Sequence, residues 1–156
     1  HHTLIEYAFL KNGFEGLENS LRREATANAH AYRQALLESE AQGRPFRHWC
    51  PLNLTERCIL YAFRPMICRL HGIAHILHHP VRGVIQGTGC HVFEEQCPSS
   101  NARLLDRSGI YKALAGLEQL ARQTTGFGAP INMTIADMIL AFTQDGEVLQ
   151  QAEGRR

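Results

Sequence analysis

The residues best equipped for chemistry crowd the middle of this chain. All five cysteines, Cys50, Cys58, Cys68, Cys90 and Cys97, lie near its middle, and five of the nine histidines fall between His71 and His91. Thiolate sulfur suits Zn(II), iron and iron–sulfur clusters, and imidazole is the commonest metal-ligating side chain. Cys50-x7-Cys58-x9-Cys68 supplies three thiols at spacings that match no zinc knuckle. Read alone, that spacing leaves two roles open: metal ligation, or thiols buried without a metal. Cys90 follows Gly87-Thr88-Gly89 and offers a fourth donor, since glycine flanks let a backbone fold tightly around an ion. Cys97 is the weakest candidate because Pro98-Ser99-Ser100 reads as an exposed loop. On a helix, Cys68, His71, His75 and His78 or His79 would share one face; the other reading is a polar surface with several histidines.

Other chemistries find less support. No Glu lies between His71 and His75, so the HExxH pattern of a zinc protease is absent. No Cys and His are tied together locally as a nucleophile and its base. Gly83-x3-Gly87-x-Gly89 lacks the Lys-Ser/Thr ending of a phosphate-binding loop. Trp49 reads as a core residue or a lid over the cysteines, not as a stacking platform for bases. The cysteine count is odd, which argues against a fully paired disulfide framework. A chain of 156 residues also needs no disulfides to fold. No export signal is visible, and the reading is a cytoplasmic protein with reduced thiols.

Composition sets the frame: 44% hydrophobic, 20% charged, net charge +1. Nothing in that balance calls for nucleic acid or an anionic membrane as partner. No apolar run is long enough for a membrane-spanning helix.

The elements that would position the cysteines read as helices on either side. Thr3 and Glu6 make a capping box for a helix to Leu10, ended by Asn12-Gly13. A long helix follows over 14–39, with Phe14, Leu17, Leu21, Ala25, Ala29, Tyr32 and Leu36 on one face. Residues 45–60 read as loop, 62–71 as one or two helical turns, and 72–101 as turns dictated by Gly, His and Pro. Asp106 or Ser108 caps a helix to about Thr124, with Ile110, Leu114, Leu117, Leu120 and Ala121 apolar. Thr134 caps a last helix, and the chain from Asp145 onward reads as a frayed tail. The prediction is a mainly α, small helical domain with an irregular Cys/His-rich central segment. It is one domain: N-terminal helices over 3–43, a metal-site segment over 44–101, C-terminal helices over 102–144 and a tail over 145–156. A fifty-residue irregular centre needs a pin, and a bound metal is the simplest one.

Cys50-Pro51-Leu52, Cys58-Ile59-Leu60-Tyr61 and Arg64-Pro65-Met66-Ile67-Cys68-Arg69 stand in an order that resembles the YkgJ-type cysteine-cluster family. That family carries CPFL, C-x-IY and RP-x-x-CR, and is described as a zinc- or iron-chelating domain. The resemblance covers about twenty residues. The upstream CxxCxxxCC half that names the family is absent from this chain, so the resemblance implies a chain that starts after it or a member with a single site. Arg69, and Arg64 beside it, would offset the negative charge of clustered thiolates.

Together these readings predict a metal-binding protein. Zinc or iron, the latter as an ion or an iron–sulfur cluster, would be held by Cys50, Cys58, Cys68 and Cys90. The alternatives are a metal- or cluster-dependent enzyme doing redox or Lewis-acid chemistry, and a helical interaction module whose cysteines are incidental.

Overall fold

The computed structural model describes residues 2–97 and 104–143. They form two compact units, one of residues up to Pro65 and from Pro130 on, the other of Met66–Ala129.

The first unit holds three helices and a hairpin. Helix α1, Leu4–Glu15, begins with the expected capping box: the Thr3 hydroxyl accepts from the Glu6 N–H, and the Glu6 carboxylate accepts from the Thr3 N–H at 3.0 Å. It does not stop at Asn12-Gly13, as the local sequence predicts. Gly13 is required there for a long-range reason: a Cβ would sit 2.4 Å from Cγ of Phe63. Gly16 closes the helix. The helix expected over 14–39 is helix α2, Asn19–Ala41; Phe14 belongs to α1 and Leu17 to the turn between them, and of the predicted stripe Ala25 and Ala29 are fully buried. Small residues at these two positions let the helix axis approach its neighbours closely.

Residues 45–60, read from sequence as loop, contain a two-stranded antiparallel hairpin. Strand β1, Asn53–Leu54, pairs with β2, Arg57–Cys58. Leu52 and Leu60 flank it and are 3% and 2% exposed, so the hairpin is seated in the hydrophobic core. A 3₁₀ turn over Tyr61–Phe63 follows. Helix α6, residues 135–143, is capped by Thr134 as predicted, through reciprocal bonds with Asp137. The core of this unit gathers Leu10, Phe14, Met138, Ile139 and Phe142 with the hairpin leucines. Tyr7 and Phe14 both set their rings against Phe142, at centroid distances of 5.0 and 5.6 Å.

In the second unit the expected irregular segment is largely ordered as sheet and short helix. Helix α3, Met66–Leu70, leads through a turn at Gly72 (φ +79°) into strand β3, His75–His79. Strand β4, Gly83–Gly87, pairs antiparallel to β3, and β5, Leu105–Asp106, pairs parallel to its other edge. Helix α4, His91–Gln96, lies between them in sequence, and α5, Ser108–Thr125, completes the unit. The mainly helical expectation holds, but the Cys/His-rich irregular centre is corrected. Gly83 and Gly87 bracket a Val84-Ile85-Gln86 strand, and a strand alternates its side chains between two faces. His75 and His79 therefore share one face of β3, and His78 points to the other.

One side chain ties this unit together. Arg107 is 5% exposed, and its Nη2 donates to the carbonyls of Leu70 and of Ile73, the latter at 2.9 Å. Its backbone N–H bonds Ile76, and its carbonyl accepts from Tyr111 in the first turn of α5. Arg107→Met should cost the unit about 3 kcal/mol, because two enclosed carbonyls lose their donor. Hydrogen exchange at the β3 amides measures this, and protection there unchanged from wild type would contradict it. Gly13→Ala should destabilise the first unit by roughly 1–3 kcal/mol through overpacking against Phe63, read as a lowered urea midpoint.

Candidate functional site

The four cysteines expected to share a metal divide between the two units: Cys50 and Cys58 in the first, Cys68 and Cys90 in the second. Among the described residues, no three or more Cys, His, Asp or Glu side chains converge as a metal site. The expectation of a bound zinc or iron ion or iron–sulfur cluster is therefore corrected, and with it the metal ion as partner and the metal- or cluster-dependent enzyme. The pattern misled because residue type and spacing say nothing about direction. Strand alternation splits the histidines, and Cys68, Cys90 and Cys97 lie within α3, at the start of α4 and at its end.

Cys90 shows what the glycines do. A Cβ on Gly72 would lie 3.1 Å from the Cys90 Sγ, and one on Gly89 (φ +95°) would meet the Gly72 carbonyl at 2.7 Å. The Cys90 N–H bonds that same carbonyl at 3.1 Å. Across the sheet, Gly87 makes room for the His75 imidazole, whose Nδ1 lies 3.2 Å from the Ile73 carbonyl. These glycines pack the backbone against a thiol and a ring of the same unit; they do not wrap an ion. Arg64, expected beside a thiolate, stacks on Tyr61 with its guanidinium 3.7 Å from the ring centre. Arg69 is exposed on α3, and Cys97 is exposed, as its sequence context predicts.

Comparison with protein-family models, with curated proteins and with solved structures finds no match to this chain. The likeness of its three short motifs to the YkgJ-type family thus carries no family assignment, and the missing cluster geometry removes what that likeness implied.

The richest local chemistry sits on the hairpin of the first unit. The Cys50 carbonyl accepts from the Asn53 N–H at 2.8 Å, closing a turn, and Asn53 stands opposite Cys58 in the ladder. Burial pushes the Cys50 thiol pKa up; the Leu52 backbone N–H works against that, and the nearby Cys58 reinforces it. Tyr32 on α2 is also raised, first by burial and then by Cys50 and Asp137. Tyr32, Phe46 and His48 form a ring cluster, with Phe46 4.9 Å from Tyr32 and stacked nearly parallel to His48. Trp49, expected as core or lid, is 74% exposed. Asn53 Oδ1 is buried without a hydrogen-bond partner among the described residues.

At the hairpin tip, Thr55 and Glu56 have φ of +48° and +63°. Two successive left-handed residues make the turn that matches strand twist, but Asn-Gly is the pair suited to it, and a β-branched Thr is strained there. Replacing Thr55-Glu56 by Asn-Gly should stabilise the first unit by roughly 1–2 kcal/mol in total, seen as a higher urea midpoint. The raised Cys50 pKa has a definite sign. The folded state holds the thiol proton more tightly than the unfolded chain. This contribution is fully present below the ordinary thiol pKa and is lost as pH rises through the raised one. At neutral pH, alkylation of Cys50 by iodoacetamide should be slower than that of a free thiol, and it should accelerate as pH climbs past 9.0, the ordinary value for the group. A rate already at its plateau at pH 7 would contradict the assignment.

Proposed function

We propose that this chain is a helical protein-interaction module that pairs with a second copy of itself through the outer face of α5. The observation that carries the reading is that α5, eighteen residues long, has no buried residue although it is strongly amphipathic. Its half-buried side carries Tyr111, Leu114, Glu118 and Ala121, and the helix contacts β3. Beside that lies a second apolar stripe in which Ile110, Leu117 and Leu120 are 40%, 52% and 60% exposed.

Charge and shape both favour a second copy as occupant. The stripe carries no charge: Lys112 lies off it, and Arg122 is paired to Glu118 at 2.6 Å. The chain as a whole carries only +1, so two copies meet little repulsion. Gly109 and Gly116 border the stripe with open space where a Cβ would stand, and Ala113 lies between them. In a helix interior each glycine costs about 0.5–1 kcal/mol relative to alanine, and an unfilled gap offers no return within the chain. A helix laid antiparallel on this face can approach closely, bringing Ala113 against Leu117 and Ile110 against Leu120. Such a pair is isologous, the commonest dimer symmetry. A single helix face of about 27 Å falls short of the roughly 800 Å² per partner of a stable interface, so the association is expected to be weak and reversible.

No helix among the described residues is long and apolar enough to cross a membrane. The proposal places the module in the cytoplasm, in keeping with an odd cysteine count that no fully paired disulfide framework satisfies.

Sedimentation velocity of the full chain across a wide concentration range tests the reading. The expected result is a monomer–dimer equilibrium. Leu117→Lys should weaken it by about 2 kcal/mol or more, roughly thirtyfold, with an unchanged far-UV spectrum. A chain that stays monomeric throughout, or dimers indifferent to Leu117→Lys and Leu120→Lys, would overturn the reading.

A further inference from the structure

We propose that the first unit carries a binding cleft for a small aromatic carboxylate, set between the last turns of α2 and the chain that returns along them. Ala35, Glu38 and Ser39 are spaced i, i+3 and i+4, so they share one face of the helix. The chain reverses at Gly43 (φ +60°) and comes back beside that face. Two contacts fix the returning segment. The Arg44 N–H donates to the Ser39 carbonyl at 3.0 Å, and the Ser39 hydroxyl donates to the Arg44 carbonyl at 2.7 Å. Two residues on, the Phe46 ring meets Tyr32 nearly at right angles, with centroids 4.9 Å apart. Between helix and segment lies an open cleft of about 440 Å³, whose lining includes Ala35, Glu38, Ser39, Arg44, Phe46 and Arg47. Small-molecule sites typically enclose roughly 300–1,000 Å³.

The lining selects the ligand. Arg44 and Arg47 both border the cleft, and neither guanidinium has a hydrogen-bond or ion-pair partner among the described residues. A guanidinium fork matches the two oxygens of a carboxylate. Glu38 borders the same cleft, and its Oε1 accepts from Gln34 Nε2 at 2.7 Å. Two cations and one carboxylate leave a single positive charge on the lining, which one further carboxylate neutralises. A phosphate dianion would instead leave surplus negative charge beside Glu38 and the C-terminal end of the α2 dipole. Ala35 and Phe46 add the apolar surface on which a flat ring packs.

Arginines on a solvated surface need no ligand. These two differ in standing on a segment that is held at Arg44 by Ser39 and at Phe46 by Tyr32, so binding does not have to order the backbone that carries them. The cleft is open, which leaves the bound carboxylate partly hydrated and keeps the affinity low. Glu38 sets the selectivity: it tolerates one incoming negative charge and opposes two. The cleft is built from residues 35–47 and does not depend on the pairing of α5.

The test titrates the full, nitrogen-15-labelled chain at neutral pH with 3-phenylpropionate, propionate and phenyl phosphate, followed by amide NMR shifts. The expected result is saturable shifts at Ser39, Arg44, Phe46 and Arg47 with 3-phenylpropionate, at a Kd of about 1–10 mM. Propionate, which lacks the ring, and phenyl phosphate, which carries the extra charge, should both bind more weakly. Arg44→Gln and Arg47→Gln should each weaken 3-phenylpropionate roughly tenfold, with the rest of the amide spectrum unchanged. Glu38→Gln should narrow the gap between phenyl phosphate and 3-phenylpropionate. Shifts that stay linear to about 50 mM, an affinity indifferent to both arginine substitutions, phenyl phosphate binding tighter than 3-phenylpropionate, or a gap unmoved by Glu38→Gln would each overturn the proposal.

Discussion

The guanidinium of Arg107 is enclosed between the carbonyls of Leu70 and Ile73, and its backbone joins β3 to the first turn of α5. Few side chains in residues 66–129 are comparably enclosed. Among the described residues of that unit, only Leu70 and Ala74 are buried hydrophobics. Burying a charge is costly unless it is compensated, and here the compensation comes from carbonyls at the end of α3 and in the turn beyond it. Without those bonds α3, the Gly72 turn, β3 and α5 would have little in common except the sheet ladder. This unit is organised by directed polar contacts, and the first unit by an apolar core.

That contrast explains where the free apolar surface lies. Of thirteen large hydrophobic side chains exposed among the described residues, nine belong to 66–129. A unit with a small core gains little by turning more leucines inward, because its thin sheet has no second layer to receive them. Its amphipathic helix consequently satisfies one flank against β3 and leaves the adjoining stripe to solvent. Burial at about 25 cal/mol per Å² applies equally to surface covered by another molecule. A partner on that stripe would supply part of the apolar burial that the unit lacks.

How much could be read from sequence depended on the range of the interaction. The Thr3–Glu6 box, the inward stripe of α2, the Thr134 cap and the extent of α5 were legible because each is set by residues within one or two helical turns. Gly13 was misread as a stop because its reason, the Phe63 ring, lies fifty residues away. The hairpin at Asn53–Cys58 was hidden by Thr55-Glu56, a pair that does not advertise a left-handed turn. The β3–β4 pair was hidden by histidines, which carry little strand signal, and by glycines whose role is to admit the His75 ring and the Cys90 sulfur. The metal expectation failed at the same point: a count of donors cannot report whether they converge.

With a shared metal removed, the five cysteines no longer need one explanation. Cys90 fills a space that Gly72 leaves for it, a packing role in which sulfur acts as a small apolar group. Cys97 ends α4 in the open. Cys50 closes the turn that leads into the core-anchored hairpin, and Cys58 stands in its second strand opposite Asn53. An odd total is then unremarkable, because each cysteine answers to its own local surroundings. Enrichment of one residue type along a sequence can thus arise from separate local requirements, and only the backbone geometry tells them apart.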